Sequence, residues 1–558
     1  MTNSNGTNFP PRDELIFLPL GGAGEIGMNL NLYGCAGKWL MVDLGVSFGD
    51  DYLPGIEVVM PDPAFIEEQR EHLAGLVVTH GHEDHLGAVA WLWPRLRCPI
   101  YATPFAAALL RNKLHEHGLT EDAEVSVVEL GSRFEVGPFD IELITLTHSI
   151  PEPNALAIRT PHGTVLHTGD WKFDPSPLVG EASDLDALRR LGSEGVLALV
   201  GDSTNVFTPG HARSEAEVRE SLVELFGRFT GRIAVGCFAT NVARLESIAH
   251  AAAAHGRQVA LVGRSLWRVQ EAARENGYLA DTPAFLNEHD AAHLPKDKLV
   301  YICTGSQGEP RAALSRIASG NHPHVSLGKG DVVVFSSRMI PGNEKAIARL
   351  QDALVKQGVQ LITEKDHFVH VSGHPGREEL AEMYHMVRPQ VAVPVHGEAR
   401  HLIAHAKLAR DCQVPKSVVM ENGAVLRLAP GEPEIVDHVH SGRLAVDGTR
   451  VVPMQSEILR ARHRALFNGS AVVTLVVDED GLLLAKPKLT ATGILDPHLE
   501  AEEHEAVVMA VRDAVEDLPQ RERRDDAAIT EAARLAVRRS LRDSHGKKPI
   551  TDVHLVRV

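Results

Sequence analysis

The sequence has few cysteines, and their spacing excludes the simplest cysteine-based sites. The five are scattered through 558 residues with no C-x-x-C pair: Cys35, Cys98, Cys237, Cys303 and Cys412. Neither a disulfide framework nor a zinc site built from thiolates follows from this spacing. We therefore expect a reducing, cytoplasmic setting.

Long apolar runs and an excess of positive charge are lacking as well. No segment approaches the roughly 18 consecutive apolar residues of a membrane span. The opening, MTNSNGTNFPPRDEL, lacks the basic and apolar regions of a signal peptide. We expect no membrane association. The net charge of −18 argues against wrapping nucleic acid with a basic surface, but bound cations and local basic patches still attract phosphate.

The length and the order of the segments predict several domains. A chain of 558 residues exceeds one ordinary core. Up to about Asp170, strand-like segments are interleaved with helix-like ones, which indicates an α/β sandwich. From about Ser214, helices and strands alternate with the rhythm of a parallel sheet. The last hundred residues indicate a small, separate α+β domain.

The segment LAGLVVTHGHEDHLGAVAWL (Leu73–Leu92) places an H-x-H-x-D-H motif directly after an apolar, strand-like run. The motif supplies four metal-competent side chains: His80, His82, Asp84 and His85. Imidazole nitrogen and carboxylate oxygen bind zinc, and catalytic zinc sites leave one position open for water. The structural alternative is a polar helix start, in which Glu83 or Asp84 serves the first N–H groups.

Three further candidates follow strand-like apolar runs elsewhere in the chain. They are His148 in LITLTHSIPE, Asp170 in VLHTGDWKFD and His396 in VAVPVHGEAR. The ends of strands are where α/β sheets present functional groups. Any one of these residues alone is more commonly a surface or capping group. Together with the first cluster they predict a dinuclear metal centre in which a carboxylate such as Asp170 bridges the two ions.

These motifs resemble a known family. H-x-H-x-D-H followed by a distant histidine and TGD is similar to the metallo-β-lactamase fold, and GDSTN, HFVHVSGHPG and PVHGE resemble its β-CASP nuclease branch. The opening LPLGGAGEIGMNL and the C-terminal domain resemble bacterial ribonuclease J, from about Glu14 to the C-terminus. The implied fold is α/β: a metallo-β-lactamase αββα sandwich with an inserted β-CASP α/β domain and a small C-terminal α+β domain.

The same resemblance implies domain boundaries. The metallo-β-lactamase domain would occupy 1–210 and 371–430. The inserted β-CASP domain would occupy 211–370. A linker over 431–457, which we expect to have some β content, would lead to the C-terminal α+β domain at 458–558.

The resemblance also implies the site residues. Two Zn²⁺ per subunit, with Mn²⁺ or Mg²⁺ as substitutes, would be bound by His80, His82, Asp84, His85, His148, Asp170 and His396. Asp43 in MVDLG would orient the site from behind the ligands, the alternative being an ordinary strand-end turn residue. Asp84 would position or deprotonate the attacking water, a metal-bound hydroxide being the nucleophile.

Other implied residues bind substrate or complete the catalysis. Asp202 matches the first acidic motif of the β-CASP branch, and His374 matches the general acid. The substrate-phosphate loop would be His370, Val371, Ser372, Gly373 and His374. Glycine lets the backbone approach a phosphate closely, although an ordinary turn before a helix also explains this loop. Thr240 and Asn241 in CFATNVAR would contact a nucleotide.

The leading interpretation is a zinc-dependent ribonuclease acting on single-stranded RNA. The family implies 5′→3′ exonuclease activity that prefers a 5′-monophosphate, with endonuclease activity, in mRNA decay and rRNA maturation. It also implies a homodimer or homotetramer and partners in an RNA-decay assembly.

Three alternatives remain at this point. A DNA nuclease of the same branch would carry valine in place of His396. Hydrolysis of a small thioester or lactam would not need the long insertion. A catalytically silent scaffold predicts broken ligands, and none of the motif ligands is broken here.

Overall fold

The structure is a computed structural model that describes residues 12–49, 53–340, 342–496 and 498–558. These residues form two compact units. The first comprises 12–47 and 59–443, and the second comprises 48–49, 53–58 and 444–558. In the described ranges, no helix combines the length and apolar character needed to cross a membrane.

A mixed eight-stranded sheet forms one layer of the first unit. Its strands, in spatial order, are Glu434–His438, Ala424–Ala429, Leu15–Gly21, Leu30–Cys35, Lys38–Val42, Leu73–Val77, Ile100–Ala102 and Val125–Val127. Lys38–Val42 and Leu73–Val77 run parallel. Leu73–Val77 reads LAGLV, a continuous apolar run, because both faces of this inner strand are covered.

A seven-stranded sheet forms the second layer. Its strands, in spatial order, are Arg133–Val136, Phe139–Thr145, Asn154–Thr160, Gly163–His167, Ala198–Asp202, Val391–Val395 and Lys416–Ser417. Gly163–His167, Ala198–Asp202 and Val391–Val395 are parallel neighbours. Phe139–Thr145 is separated from Gly163–His167 by one strand that is antiparallel to both, so it points the same way.

The main core lies between the two sheets. It joins Leu40 and Val77 of the first sheet to Phe139, Ile141 and Val393 of the second. A second apolar cluster covers the outer face of the seven-stranded sheet with three helices, Leu185–Glu194, Arg377–Val387 and Ala399–Asp411. Three helices lie on the side of the first sheet, where they contact the sheet or one another. They are Ala64–Glu68, Val89–Leu96 and Pro104–Glu116. The layers are therefore helix, sheet, sheet and helix.

A third sheet is inserted in the chain between two neighbouring strands of the second, Ala198–Asp202 and Val391–Val395. Its six strands are all parallel, in the spatial order Leu286–Asn287, Gln258–Val262, Leu299–Cys303, Ile233–Gly236, Val332–Phe335 and Gln360–Ile362. The helices of this insertion are Glu215–Phe226, Val242–Ala254, Arg264–Glu275, Glu288–Ala291, Ala313–Ala318 and Glu344–Lys356, with a 3₁₀ turn at Lys296–Lys298.

The second unit has its own core under a three-stranded sheet, ordered Lys488–Thr492, Ser470–Val477 and Ile550–Arg557. Ser470–Val477 alternates buried and half-buried residues because only one of its faces packs on helices. The helices are Glu457–Asn468, Ala501–Glu516, Gln520–Arg523 and Asp526–His545. A hairpin is formed by Arg443–Asp447 and Arg450–Pro453.

The segment 431–457, predicted as a linker, contains regular β structure. Glu434–His438 is the edge strand of the eight-stranded sheet, and the hairpin of the second unit follows it. The remaining short elements are the strands Ala23–Gly24, Ser47–Phe48, Val58–Pro61 and Gly397–Glu398, the helix Glu83–Leu86 and the 3₁₀ turn Arg70–His72.

The packing between the two sheets leads to a stability prediction. Phe139 is fully buried there, so Phe139→Ala removes a ring from a close-packed core and is expected to cost about 3–5 kcal/mol. The same change at Phe207, which is 57% exposed, is expected to cost less than about 0.5 kcal/mol. Urea unfolding of metal-free protein followed by tryptophan fluorescence measures this directly, because all five tryptophans lie in the first unit. Equal costs for the two variants would contradict this packing.

Candidate metal centre

The metal-competent residues follow the carboxyl ends of strands. The pairs of strand and following residue are Lys38–Val42 with Asp43, Leu73–Val77 with His80, Phe139–Thr145 with His148, Gly163–His167 with Asp170, and Val391–Val395 with His396. Strands that point the same way end at the same edge of a sheet. Side chains that are hundreds of residues apart in sequence are therefore brought together.

The backbone is constrained at two of these strand ends. Asp43 has φ +63° and His396 has φ +52°, the left-handed region that residues with side chains seldom adopt. The N–H of Asp43 donates to the carbonyl of Val77 at 3.0 Å, and that of His396 donates to Gly22 at 2.6 Å. Such conformations persist only where the surrounding structure holds them in place, and they cluster at functional sites.

Among the residues that the structure describes, three groups of four donors share the Asp170 carboxylate, and one of them joins it to Asp202, His374 and His396. The other two groups consist entirely of predicted metal ligands. The ligand atoms of each group lie within 4.8 Å of one another; these two groups are His80, His82, His148 and Asp170, and Asp84, His85, Asp170 and His396. Asp170 Oδ2 lies 3.3 Å from His85 Nε2, 3.5 Å from His396 Nε2 and 3.9 Å from His148 Nε2. The Asp170 carboxylate is therefore at the point where the two groups meet.

Asp43 and Thr79 fix the imidazole of His85. Asp43 Oδ2 accepts a hydrogen bond from His85 Nδ1 at 2.7 Å and another from the Thr79 hydroxyl at 2.9 Å. Asp43 Oδ1 accepts the Thr79 N–H at 2.8 Å. Because a carboxylate only accepts, His85 carries a proton on Nδ1 and turns Nε2 towards Asp170.

His80 and His148 are oriented in the same way. His80 Nδ1 lies 3.0 Å from the Thr79 hydroxyl oxygen, which has already donated its own proton to Asp43. His148 Nδ1 lies 2.6 Å from the carbonyl of Gly373. Both Nδ1 atoms therefore donate, and both Nε2 lone pairs face the cluster.

The converging lone pairs fit a cation. His82 Nδ1 lies 3.1 Å from His80 Nε2 and 3.0 Å from His148 Nε2, so at least two unprotonated nitrogen atoms face this point. Within the described ranges, Asp170 Oδ1 and His396 Nε2 are buried without a hydrogen-bond partner. Unpaired buried polar atoms are costly unless something binds them. The imidazole and carboxylate donors therefore fit divalent ions such as zinc.

Protonation equilibria agree with this arrangement. Burial lowers the pKa of His80 and of His148 well below the usual value, and lowers the pKa of His82 to about 4. Neutral imidazole is the form that binds metal. Burial also lowers the pKa of His85, but the carboxylates of Asp170, Asp84 and Asp43 outweigh it and raise the pKa well above the usual value. The carboxylate side of the site thus favours positive charge.

His374 lies beside the cluster and is held by Asp202. Its Nδ1 is 2.8 Å from Asp202 Oδ2 and 3.8 Å from Asp170 Oδ2, and its ring stacks on that of His396 with centroids 5.7 Å apart. Burial lowers the pKa of His374, but Asp202 and Asp170 outweigh it and raise the pKa to about 9. With a fifth of its side chain exposed, His374 is a protonated group facing an open space.

The segment 370–374 packs against the cluster. A Cβ on Gly373 would lie 2.6 Å from the His148 ring, so only glycine fits there. The side-chain amide of Asn205 donates to Ser372 Oγ at 2.8 Å and to the His374 carbonyl at 3.1 Å. Val371 is buried, whereas His370 is half-buried and its Nδ1 has no hydrogen-bond partner in the part of the chain that the structure describes.

Thr240 and Asn241 lie at the start of a helix of the insertion. Asn241 Oδ1 accepts the N–H of Arg244 at 2.9 Å and caps the helix Val242–Ala254. Thr240 is half-buried. Arg244 Nη1 donates to the carbonyl of Val369 at 3.0 Å, so this helix start reaches the segment 370–374 through Arg244. Among the described residues, neither Thr240 nor Asn241 is itself hydrogen-bonded to the donor groups.

Four contributors were not identified from the sequence, and the first is Thr79, which contacts Asp43 and His80. The Asn29 amide nitrogen lies 3.1 Å from His85 Nε2 and 2.9 Å from His396 Nδ1. Asn205 and Arg338 hold the segment 370–374. The GGAGEIGMNL and GDSTN motifs contain the two asparagines, but a motif match alone assigns no contact to either.

Comparison with known proteins matches nearly the whole chain to described families. The model of the metallo-beta-lactamase superfamily matches residues 32–235, and that of the ribonuclease J beta-CASP domain matches 230–354. The Zn-dependent metallo-hydrolase RNA specificity domain matches 358–418, and the ribonuclease J C-terminal domain matches 457–558. The predicted fold class is confirmed.

Full-length relatives agree. Ribonuclease J of Sinorhizobium meliloti is 45% identical over 98% of both chains. Ribonuclease J 1 of Streptococcus pyogenes is 38% identical over 89% of this chain and 88% of its own. A solved structure of an Enterococcus faecalis protein of unknown function covers 74% of this chain and all of its own, with a TM-score of 0.51 and 15% identity. That last likeness shows the fold alone.

These findings define a metal-dependent, RNA-binding hydrolase of the metallo-β-lactamase superfamily with a β-CASP insertion. The chain belongs to the ribonuclease J family, as its motifs predicted. The protein is therefore a hydrolytic ribonuclease. The clusters of donors around Asp170 are compatible with metal binding.

The shared carboxylate leads to a prediction about metal content. Asp170→Asn removes a charge and an oxygen ligand from both groups, so we expect metal affinity at both to fall at least about tenfold. His82→Gln removes a donor from one group only and is expected to spare the other. Metal titration with elemental analysis measures both effects. His401→Gln, a buried histidine outside these donor groups, is the control. Wild-type affinity in Asp170→Asn would contradict the shared role.

Proposed function

We propose that this ribonuclease binds two Zn²⁺ per subunit, with Mn²⁺ or Mg²⁺ as substitutes, and hydrolyses single-stranded RNA. It degrades RNA from the 5′ end with a preference for a 5′-monophosphate, and it also cuts internally. The observation that carries the proposal is the pair of four-donor groups that share Asp170 beside the segment 370–374.

The ions would be held by the donors of the two groups, which are His80, His82, Asp84, His85, His148, Asp170 and His396. Asp43 positions His85 and Thr79 from behind. Two bound divalent ions supply Lewis-acid activation of water and neutralise the charge on the phosphate.

Asp84 is the carboxylate of the site that is open to solvent. Its Oδ2 lies 3.6 Å from both His85 Nε2 and His396 Nε2, and 31% of its side chain is exposed. A carboxylate that reaches both the donor groups and the solvent can position the attacking water and accept its proton.

His374 protonates the departing 3′ oxygen. Asp202 accepts the Nδ1 proton and fixes the ring, so Nε2 is the nitrogen that is free to donate. Since the neighbouring carboxylates raise the pKa of His374 to about 9, the proton is present at neutral pH.

The segment 370–374 receives the 5′-phosphate. Ser372 Oγ accepts hydrogen bonds from Asn205 and from the His374 N–H, which leaves its own hydroxyl proton for a phosphate oxygen. Gly373 keeps the backbone close to His148, while His370 and Val371 complete the loop. Thr240 and Asn241 contact the adjacent nucleotide, and the amide nitrogen of Asn241 can serve because its oxygen caps the helix.

Membership of the ribonuclease J family supports a proposal about the biological setting. We place the enzyme in mRNA decay and rRNA maturation in the cytoplasm, as a homodimer or homotetramer that joins other proteins of an RNA-decay assembly. The second unit has its own core, so it can form contacts between subunits without disturbing the first unit. We assign it a role in the assembly of subunits.

The role of His374 is tested by changing the leaving group. We expect His374→Ala to lose about 100-fold or more in single-turnover rate on an ordinary RNA linkage. A linkage with sulfur in place of the bridging 3′ oxygen leaves as a thiolate without a proton, so the variant should cut it at close to the wild-type rate. Asp202→Asn should follow the same pattern with a smaller loss. Equal losses on both linkages would exclude His374 as the proton donor.

The direction of cleavage is tested with one RNA labelled at either end and carrying a 5′-phosphate or a 5′-hydroxyl. We expect mononucleotides to appear progressively from the 5′ end of the phosphorylated form and to vanish in His80→Ala. Ser372→Ala should slow cleavage of the 5′-phosphorylated RNA selectively, because only that RNA places a terminal phosphate against the serine hydroxyl. If both RNAs give internal fragments alone, the exonuclease proposal is contradicted. If Ser372→Ala slows cleavage of both RNAs equally, the phosphate pocket is rejected.

A further inference from the structure

An exposed arginine of the insertion is linked to the segment 370–374 through the side chain of Asn205. Arg338 Nη1 donates to Asn205 Oδ1 at 2.8 Å. The amide nitrogen of the same asparagine donates to Ser372 Oγ at 2.8 Å and to the His374 carbonyl at 3.1 Å. The side-chain amide of Asn205 therefore links the Arg338 guanidinium to the Ser372 hydroxyl and to the backbone of His374, the proposed general acid.

The backbone of Arg338 is fixed from the other side. Gln307, which is buried, donates from Nε2 to the Arg338 carbonyl at 2.9 Å and to Ser337 Oγ at 3.3 Å. Gln307 Oε1 accepts the N–H of Ile340 at 2.9 Å. Arg338 is thus an exposed side chain on a held backbone. Because its guanidinium is also restrained by Asn205, less conformational entropy is lost when it binds a ligand.

Arg338 differs from the other cations near this segment. Lys172, Arg244 and Arg338 all act on the charge state of His370. Lys172 is paired with Asp174 at 3.0 Å, and Arg244 is paired with Glu215 at 3.1 Å. Arg338 has no carboxylate partner in the described ranges, and there its only side-chain hydrogen bond goes to Asn205.

An uncompensated arginine at this place in an acidic protein indicates an anionic ligand. The chain carries a net charge of −18, so an unpaired guanidinium is not explained by an excess of basic residues. The remaining N–H groups of the fork match two phosphate oxygens. A terminal phosphate carries a charge of about −1.5 to −2 at neutral pH, against −1 for an internal phosphodiester, and gains more from such a contact.

We propose that Arg338 binds the 5′-terminal monophosphate of the RNA together with Ser372, and so sets the preference for 5′-phosphorylated substrates. The inference rests on the proposed function, since it needs the 5′ end to lie against the segment 370–374. Asn205 positions both ligands of the phosphate, the guanidinium through its oxygen and the serine hydroxyl through its nitrogen.

The test compares kcat/KM of matched RNAs with a 5′-phosphate or a 5′-hydroxyl in three variants. Arg338→Gln is expected to lose about 10- to 100-fold on the phosphorylated RNA and less than about threefold on the other. Arg338→Lys keeps the charge without the fork and should lie between wild type and Arg338→Gln. Arg349→Gln, an exposed arginine of the helix Glu344–Lys356, removes the same charge from the same insertion and should behave as wild type.

The outcomes separate the possible roles of Arg338. Equal loss on both RNAs, carried by kcat, would mean that Arg338 only holds Asn205 and the His374 loop, and would overturn the proposal. Equal loss carried by KM would assign it to an internal phosphate and would overturn it as well. If the wild-type enzyme does not prefer the 5′-phosphorylated RNA, the proposed function is rejected instead. The wild-type enzyme alone decides this point, without any variant. Melting temperatures check that all variants are folded.

Discussion

The buried carboxylate of Asp170 is the interaction on which the site depends. It is 3% exposed and is the only residue common to all three four-donor groups of the described ranges. Around it, Asp43, Thr79 and the Gly373 carbonyl hold the imidazoles so that their lone pairs converge. Such a cluster is costly without a cation, because buried polar atoms are left unpaired. Metal binding is therefore expected to add to the stability of the first unit as well as to provide catalysis.

Buried charges join the inserted sheet to this centre. Glu379 accepts the N–H of Phe173 with Oε1, and the N–H groups of Ala212 and Gly376 with Oε2. One carboxylate thereby ties the turn after Asp170 to the chain entering and leaving the insertion. The Arg244–Glu215 pair lies nearby and also holds the Val369 carbonyl. The segment 370–374 is thus supported by both parts of the unit, which allows groups from each to act on one phosphate.

The sequence predicted the elements whose signal is local. The H-x-H-x-D-H motif and the donors of later strand ends could be found because each follows an apolar run that forms a strand. The sequence did not predict Asn29, Asn205 or Arg338, since each is an ordinary polar residue whose partner lies far along the chain; Asn29 and His396, for example, are 367 residues apart. Some β content was expected within 431–457, but its Gly- and Pro-rich composition did not indicate which residues form the strands.

Anomalous diffraction from zinc-loaded crystals at the zinc absorption edge would locate the bound ions and show whether Asp170 is shared. We expect two peaks near Asp170, with His80, His82 and His148 around one and Asp84, His85 and His396 around the other. A single peak, or two peaks that do not share Asp170, would contradict this expectation.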